Sequence, residues 1–249
     1  MYICQMEKNY QIYGIRAIIE AINANKPVDK IFIQKGLQGD LIKELEHLIR
    51  KNNLPISYVP VEKIHRLTKN NHQGAIANIS PITFSSIEDL VEGVISQKEK
   101  PLFLLLDQLS DVRNFGAIIR TAECTGVDGI IIQKKGAAPV TADTIKTSAG
   151  AAFKVPIAKV DHIKDAVYYM QASNIKVVAA TEKTEDTIFN TPLNEPIAIV
   201  MGAEDVGISP SVLNAVDYKA KLPLLGEIGS LNVSVACGVF LYEVVRQRL

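Results

Sequence analysis

Apolar residues in the first third of the chain follow patterns typical of both helices and strands. In Gly14–Ala24, Ile15, Ile18, Ile19 and Ile22 recur at i, i+3, i+4 and i+7, which predicts an amphipathic helix. Asp40–Lys51 predicts a second helix of this kind. Short apolar runs predict strands, and a polar turn leads into a further strand; these segments are Lys30–Gln34, Ile56–Val59 and His72–Ala77.

From Pro101 onward the strands become unbroken apolar runs that alternate with helices. Such runs indicate strands buried on both faces, and their alternation with helices indicates a parallel sheet covered by helices. The predicted strands are Leu102–Leu106, Gly129–Ile132, Val177–Ala180, Ile197–Met201 and Lys219–Leu222, and the helices are 114–125, 143–151, 162–173 and 232–248. Ligands of parallel sheets bind beyond the carboxyl ends of the strands, so the loops after Leu106, Ala180, Met201 and Leu222 are the candidate site.

This change of pattern divides the chain into a small α/β domain at 1–80, a linker at 81–100 and a larger α/β domain at 101–249. Residues 1–80 carry 11 Lys and Arg against 7 Asp and Glu, whereas residues 81–249 carry 16 against 20. The basic excess favours the first domain as the part that holds a polyanionic partner, although a solvated surface also accounts for it.

Composition narrows the function further. The three cysteines and four histidines show no metal-ligand spacing, which argues against a metal site. No apolar stretch is long enough to span a membrane, and the first ten residues do not form a secretion signal. We therefore expect a cytoplasmic protein in which the cysteines are reduced.

The loop that follows the first strand of the larger domain, Asp107–Gly116, leads into a helix that contains Arg120. Asn114 is placed as the N-cap of that helix, or it has a functional role. Arg120 lies in an otherwise apolar helix, where it forms a structural ion pair or recognises phosphate with its planar guanidinium.

Two later loops combine glycine with polar residues. In Met201–Pro210 two glycines flank Glu204 directly after a strand, and Leu222–Ser234 is a long glycine-containing loop at the entrance of the last helix. Neither loop has the GxGxxG spacing of a dinucleotide site, which argues against a nicotinamide oxidoreductase. The strand end at Thr181 carries little information by itself.

Four segments, DVRNFGAIIRTA, KTSAGAAFKVP, MGAEDVGIS and LPLLGEIGSLNVSVACGVFLYEVVRQR, together resemble the motifs of the SpoU (TrmH) family of SPOUT methyltransferases. The segments IYGIRAIIEAI and NHQGAIA resemble the small RNA-binding domain of that family, which is related to ribosomal proteins. The resemblance covers nearly the whole chain and is strongest to the bacterial 23S rRNA guanosine 2′-O-methyltransferases.

The resemblance implies a SPOUT-type α/β fold with a trefoil knot, S-adenosylmethionine as cofactor, and a homodimer in which each site is completed by the neighbouring protomer. It assigns catalysis to Asn114, Arg120, Glu204, Ser230 and Asn232, and cofactor binding to Thr181, Gly202, Leu222, Leu224, Leu231 and Asn232. The sequence departs from the family at Val112, where many relatives have proline, which makes the loop before Asn114 less rigid.

The implied reaction transfers a methyl group from S-adenosylmethionine to a ribose 2′-hydroxyl. Because a guanidinium hardly ever loses its proton, we expect Arg120 to stabilise phosphate and alkoxide charge. The proton acceptor is then Glu204 or a substrate phosphate. A tRNA methyltransferase, a resistance methylase and a non-catalytic RNA-binding protein remain alternatives. Candidate RNA contacts, each alternatively a plain solvated or turn residue, are Lys30, Lys35, Lys63, Arg66, Lys69, His72 and Gln73.

Overall fold

The computed structural model describes residues 10–249. They form two compact units, one that ends at Thr83 and one that spans Phe84–Leu249. The elements of the first unit are β1 (Gln11–Tyr13), α1 (Ile15–Asn23), β2 (Val28–Gln34), α2 (Asp40–Lys51), β3 (Ile56–Val59), α3 (Val61–Leu67) and β4 (Ala75–Ile79).

The first unit is a four-stranded mixed sheet in the order β1-β4-β2-β3, with β2 and β3 parallel and β4 antiparallel to β1 and β2. Its main core forms where α1 and α2 place Ile18 and Leu45 against Ile31 and Ile33 of β2. The alternate side chains of β2 face the other way, where Ile64 of α3 packs in a smaller cluster. The sequence pattern predicted α1, α2, β2, β3 and β4, but not β1 or α3.

The second unit contains six strands and six α-helices. They are α4 (Ile87–Ile95), β5 (Leu102–Asp107), α5 (Val112–Cys124), β6 (Gly129–Gln133), α6 (Ala142–Thr147), β7 (Ile157–Val160), α7 (Ile163–Ala172), β8 (Lys176–Ala180), β9 (Ile197–Gly202), α8 (Pro210–Leu213), β10 (Tyr218–Ala220) and α9 (Val233–Arg248). Short 3-10 helices lie at Ala151–Phe153 and Ile188–Asn190.

All six strands of the second unit are parallel, in the order β10-β8-β9-β5-β6-β7. Phe103 and Leu105 of β5 pack with α4, α7 and α8 on one face. Leu104 points to the opposite face, where α5 packs against α6 and α9. This confirms the predicted parallel sheet with helices on both faces. The central strands β5 and β9 are buried along their whole length, as their unbroken apolar sequences predict.

Several boundaries differ from the prediction for identifiable reasons. The segment expected to be a linker, 81–100, contains α4, whose Leu90 and Val91 are part of the core of the second unit. The helix predicted at 143–151 is divided into α6 and a 3-10 turn, since Gly150 adopts a left-handed conformation. The strand predicted at 219–222 is β10 and ends at Ala220.

No helix among residues 10–249 is long and apolar enough to cross a bilayer. Within the same residues, no group of three or more His, Cys, Asp or Glu side chains is arranged to hold a metal ion.

Candidate active site

The candidate site lies at the carboxyl edge of the parallel sheet, where the central strands β5 and β9 end side by side. The last residue of β5, Asp107, is in register with Gly202, the last residue of β9. The loops that leave these two strands therefore start next to each other. One leads to α5 and the other to the segment that contains Glu204.

The α5 helix begins at Val112, and its N-cap is Asp111, whose carboxylate accepts a 2.7 Å hydrogen bond from the amide of Asn114. The prediction that Asn114 caps this helix is wrong, because the aspartate three residues earlier occupies the cap. Asn114 instead lies in the first turn of the helix, and its side-chain Oδ1 accepts a 3.0 Å hydrogen bond from Nδ2 of Asn232. The side chain of Asn114 is therefore available for the site.

Asn232 connects three segments of the chain. Its Oδ1 caps α9 by accepting hydrogen bonds from the amides of Ser234 (3.0 Å) and Val235 (3.4 Å). Its Nδ2 donates to Asn114 and also to Oε1 of Glu204 at 2.5 Å. Because the amide group uses its oxygen for the helix and both hydrogens for the other two loops, it fixes the orientation of all three. Asn114, Glu204 and Asn232, predicted as catalytic from separate motifs, form one cluster.

The segment after β9 is a tight turn built on glycine. The amide of Gly207 donates a 2.9 Å hydrogen bond to the carbonyl of Ala203, and Gly207 has a φ of 69°. A Cβ added to Gly202 would lie 2.2 Å from the carbonyl carbon of Gly207, so the turn folds directly onto Gly202. Only glycine permits this approach, and the turn therefore presents Glu204 toward α9.

A cavity of about 420 Å³ opens beside this turn. Ligand pockets in proteins have volumes of about 300–1,000 Å³. Its walls come from the ends of β8 and β9, the 203–207 turn, the loop before α9 and the first turns of α9. The predicted site residues in this lining are Thr181, Gly202, Glu204, Leu222, Leu224, Ser230 and Leu231. Asn232 lies between the lining residues Leu231 and Val233.

Arg120 is the one predicted catalytic residue that lies away from this cluster within a single chain. It is exposed on α5, six residues after Asn114, or roughly 9 Å farther along the helix axis. Among the described residues Arg120 makes no ion pair or side-chain hydrogen bond, so the structural ion pair considered for it is not formed.

The predicted RNA-binding residues of the first unit fall into two groups. Most lie at the carboxyl edge of its sheet: Lys35 follows β2, α3 and the residues just after it carry Lys63, Arg66 and Lys69, and the His72 ring lies 5.1 Å from that of His65 on α3. Lys30 is near the start of β2, roughly 16 Å from Lys35 along the strand, with Nζ 5.3 Å from the centre of the Phe32 ring.

The His72–Gly74 segment forms a turn. Nδ1 of His72 accepts a 3.0 Å hydrogen bond from the amide of Gly74, so this nitrogen is occupied within the chain. Gln73 and Gly74 both have positive φ, at 47° and 78°. The left-handed backbone of Gly74 is a conformation that side-chain-bearing residues rarely adopt, which favours glycine there. Of the two side chains, only Gln73 is exposed.

Sequence reasoning missed four polar residues at the site. Asp111 supplies the helix cap, Asp107 is buried at the end of β5, and Lys183 and Lys221 line the cavity. Asp111 had a readable signal, because an aspartate directly before the first apolar residue of a helix is a typical N-cap. Asp107 and Lys183 lie in two of the loops that were expected to form the site, but no local pattern distinguishes them or Lys221 from neighbouring residues, because their roles depend on how the strands are ordered in the sheet.

Together these features define an α/β protein that binds a small ligand at the rim of a parallel sheet, beside a cluster of amide and carboxylate groups. Two family models match the chain. The one described as SpoU rRNA Methylase family matches residues 101–242, and the one described as RNA 2′-O ribose methyltransferase substrate binding matches residues 11–85.

Similar proteins agree with these matches. A TrmH family tRNA/rRNA methyltransferase of Bacillus subtilis (strain 168), YacO, is 32% identical over 237 residues, 95% of each chain. The SpoU methyltransferase AviRb from Streptomyces viridochromogenes, solved with its cofactor AdoMet, aligns with a TM-score of 0.61 at 23% identity over 96% of this chain and 90% of its own. A TrmH/SpoU tRNA-modifying enzyme of A. aeolicus aligns with a TM-score of 0.54 at 29% identity over 65% of this chain and 84% of its own. The chain belongs to the SpoU methylase family of RNA methyltransferases.

Proposed function

We propose that this protein transfers a methyl group from S-adenosylmethionine to a ribose 2′-hydroxyl of structured RNA, with a guanosine of 23S rRNA as the favoured target. The single observation that carries the proposal is the Asn114–Asn232–Glu204 cluster beside the ligand-sized cavity. Three sequence motifs that are far apart in the chain supply these residues, and the fold brings their side chains within hydrogen-bonding distance. The same three positions are catalytic in the resemblance to the family.

The cavity fits S-adenosylmethionine in chemistry as well as in volume. Leu222, Leu224 and Leu231 offer apolar surface for an adenine ring. Gly202 and Gly207 line the cavity without side chains, so at these two positions the backbone itself faces the ligand. When bound, the cofactor supplies an electrophilic methyl group on a positively charged sulfur.

The residues of the chain then have distinct roles. Asn232 holds Glu204 and Asn114 in fixed orientations beside the cavity, so that a ribose hydroxyl placed there meets an ordered acceptor. Glu204, or a phosphate of the RNA, accepts the proton of the hydroxyl. The guanidinium of Arg120 stabilises the negative charge that develops on the oxygen, since it carries a permanent positive charge.

We propose that Arg120 acts on the site of a second protomer in a homodimer. Within one chain Arg120 is exposed and outside the cavity lining. Next to α5, helix α9 exposes Val235, Val239 and Tyr242, at 39–57% of their surface, in an i, i+4, i+7 stripe. An exposed apolar stripe of this kind is typical of a surface that another protein covers. The proposal includes the trefoil knot that the family resemblance implies for the C-terminal part of the chain.

The first unit is proposed as the part that holds the RNA. It matches the substrate-binding family model, and its exposed Lys35, Lys63, Arg66 and Lys69 lie at one edge of the sheet, where they can contact phosphates. The tRNA-modifying enzyme of A. aeolicus aligns with only 65% of this chain, whereas an rRNA methyltransferase from Sinorhizobium meliloti aligns with 96%. A large front unit therefore favours rRNA over tRNA as the substrate.

The test is to incubate the purified protein with labelled S-adenosylmethionine and separate pools of unmodified rRNA and tRNA, and then to map 2′-O-methylation. We expect one methylated ribose in 23S rRNA. Arg120→Ala is expected to lose turnover and to keep cofactor affinity, with the exposed Lys135→Ala as a matched control that retains both. Methylation of tRNA alone would show that the protein is a tRNA methyltransferase of the same family. A protein that binds RNA but takes up no S-adenosylmethionine and transfers no methyl group would refute the proposal.

The sharing of sites between protomers has its own test. Arg120→Ala and Asn232→Ser chains, each inactive alone, are mixed under conditions that exchange subunits. If Arg120 acts across the dimer, each mixed dimer has one site with both residues intact and one site that lacks both. Random exchange of equal amounts makes about half of the dimers mixed, so about one quarter of the wild-type activity returns. If both residues serve the same chain, no activity returns.

A further inference from the structure

Asp107 is a buried carboxylate that the reaction outlined above does not use. It is the last residue of β5, and only 1% of its surface is exposed. Carboxylates are almost never buried to this extent without partners, so its location needs a physical explanation. Oδ2 of Asp107 accepts a 2.7 Å hydrogen bond from the backbone amide of Ser209. A charged acceptor makes this a strong type of hydrogen bond, and burial shields it from water.

The amide of Ser209 closes the turn that carries Glu204. The turn leaves β9 after Gly202, folds back through the Ala203–Gly207 hydrogen bond, and reaches Ser209 two residues later. The turn residues 204–206 are exposed, so packing against a core does not hold them. The far end of the turn is held by Ile208, which packs in the core of the second unit, and by the bond from Ser209 to Asp107, which attaches this end to the central strand.

Asp107 also begins the loop that leads to Asn114. The next residue, Gln108, has a φ of 60°, and its amide donates a 3.0 Å hydrogen bond to the side chain of Gln133. One carboxylate thus stands at the start of the loop that ends in Asn114 and holds the end of the turn that carries Glu204.

We infer that Asp107 is a positioning residue of the active site, which sets the 203–207 turn so that the turn lines the cofactor cavity and presents Glu204 to Asn232. The role belongs to the oxygen as an acceptor for the Ser209 amide. The effect of Asp107 on catalysis rests on the proposed function. The hydrogen bond by which Asp107 holds the turn is a property of the fold alone.

The chain provides a matched control in Asp128. Oδ2 of Asp128 accepts a 2.8 Å hydrogen bond from the amide of Leu102, at the opposite end of the same strand. Asp128→Ala therefore removes the same kind of carboxylate-to-amide bond from β5, together with the 2.8 Å ion pair between Asp128 and Lys98, without touching the site. Asp107→Asn keeps an acceptor oxygen for Ser209 and removes the charge, while Asp107→Ala removes both.

Calorimetry with S-adenosylmethionine and steady-state kinetics measure the functional effect. Asp107→Ala is expected to raise the cofactor Kd about tenfold or more, as loss of one charge-assisted hydrogen bond that orders the bound turn would do. Asp107→Asn is expected to restore most of the affinity. Asp128→Ala is expected to lower the urea midpoint and to leave the cofactor Kd unchanged. The inference is overturned if Asp107→Ala binds the cofactor normally, or if Asp107→Asn is impaired as much as Asp107→Ala.

Hydrogen exchange separates this inference from the proposed function. In the ligand-free protein, amides 203–209 should exchange faster in Asp107→Ala than in wild type, with Asp128→Ala unchanged there. If wild-type protein binds no S-adenosylmethionine but this exchange difference is present, the proposed function is wrong and the role of Asp107 in holding the turn is supported. If exchange at these amides is unchanged in Asp107→Ala, Asp107 does not hold the turn, whatever the protein binds.

Discussion

Replacement of Asn232 separates the stability of the last helix from the chemistry of the site. Its oxygen caps α9, and its two amide hydrogens bind Asn114 and Glu204. Asn232→Ala removes both functions. Asn232→Ser keeps an oxygen for the cap, since serine is about as good an N-cap as asparagine, but its hydroxyl is too short to reach both neighbours.

The magnitudes follow from what each variant loses. Loss of an N-cap costs about 1 kcal/mol, so Asn232→Ala should lower the free energy of unfolding by about that amount. For a unit of this size, such a loss lowers Tm by about 2–4 °C. Asn232→Ser should lower the free energy of unfolding by only about 0.5 kcal/mol, because the lost contacts are to an exposed carboxylate, Glu204, and a half-buried amide, Asn114. Both variants should lower kcat/KM by about a hundredfold, since the proton acceptor is no longer oriented.

Urea unfolding and methyl transfer to rRNA are measured on the same preparations of wild type and both variants. We expect serine at position 232 to restore stability and not to restore activity. If Asn232→Ser is as unstable as Asn232→Ala, the oxygen does not act as a cap. If Asn232→Ser is fully active, the bridge between Asn114 and Glu204 has no part in catalysis.

Three further predictions concern stability and reactivity. Val112→Pro should raise the free energy of unfolding, measured in urea titrations, by about 0.4–1 kcal/mol. Val112 is the first helical residue, and Asp111 before it has the extended backbone that a residue before proline prefers. Destabilisation would show that the amide of Val112 is needed. Iodoacetamide should label exposed Cys124 and spare Cys237 in native protein by mass spectrometry, since burial raises the pKa of the Cys237 thiol to about 12, and equal labelling would contradict its burial. The pKa of Asp217 is lowered: burial raises it, but hydrogen bonds from a backbone amide, a glutamine and a lysine together outweigh burial. Asp217 therefore stabilises the fold above about pH 4 and loses this contribution as the pH falls through the lowered pKa, so Asp217→Asn should lose less stability than wild type between neutral and acidic pH.

The sequence predicted five of the six strands of the second unit, all except β7, because most of these strands are buried on both faces. Runs such as Leu102–Asp107 and Ile197–Gly202 contain only apolar residues until their last positions. Runs this short favour buried strands over helices, which are usually longer. Short elements were harder. The three residues of β1 and the seven of α3 contain too few positions to establish a period. These elements form because β1 pairs with β4 and because α3 packs in a small apolar cluster.

The site was predicted in its parts and not in its connections. Glycine and polar residues after predicted strands identified the loops of Glu204 and Asn232, but hydrogen bonds across more than a hundred residues follow from the strand order, which a single sequence does not encode in its periodicity. Asp107 was predicted only as the first residue of the loop that follows the strand Leu102–Leu106. Its burial and its bond to Ser209 depend on β9 lying beside β5, so no local signal distinguished it.

The arrangement of α9 explains how loops exposed to solvent can hold catalytic side chains accurately. At its C-terminal end, the guanidinium of Arg248 donates hydrogen bonds to the backbone carbonyls of residues 100, 101, 193 and 195, at 2.7–3.3 Å, just before β5 and β9 begin. At its other end, roughly 24 Å away along the helix axis, Asn232 binds Asn114 and Glu204, just after the same two strands end. A helix fastened at both ends to the same pair of strands has little freedom to slide or rotate, because movement at one end would break bonds at the other. The geometry of the site is therefore set by the central strands, and the loops only transmit it.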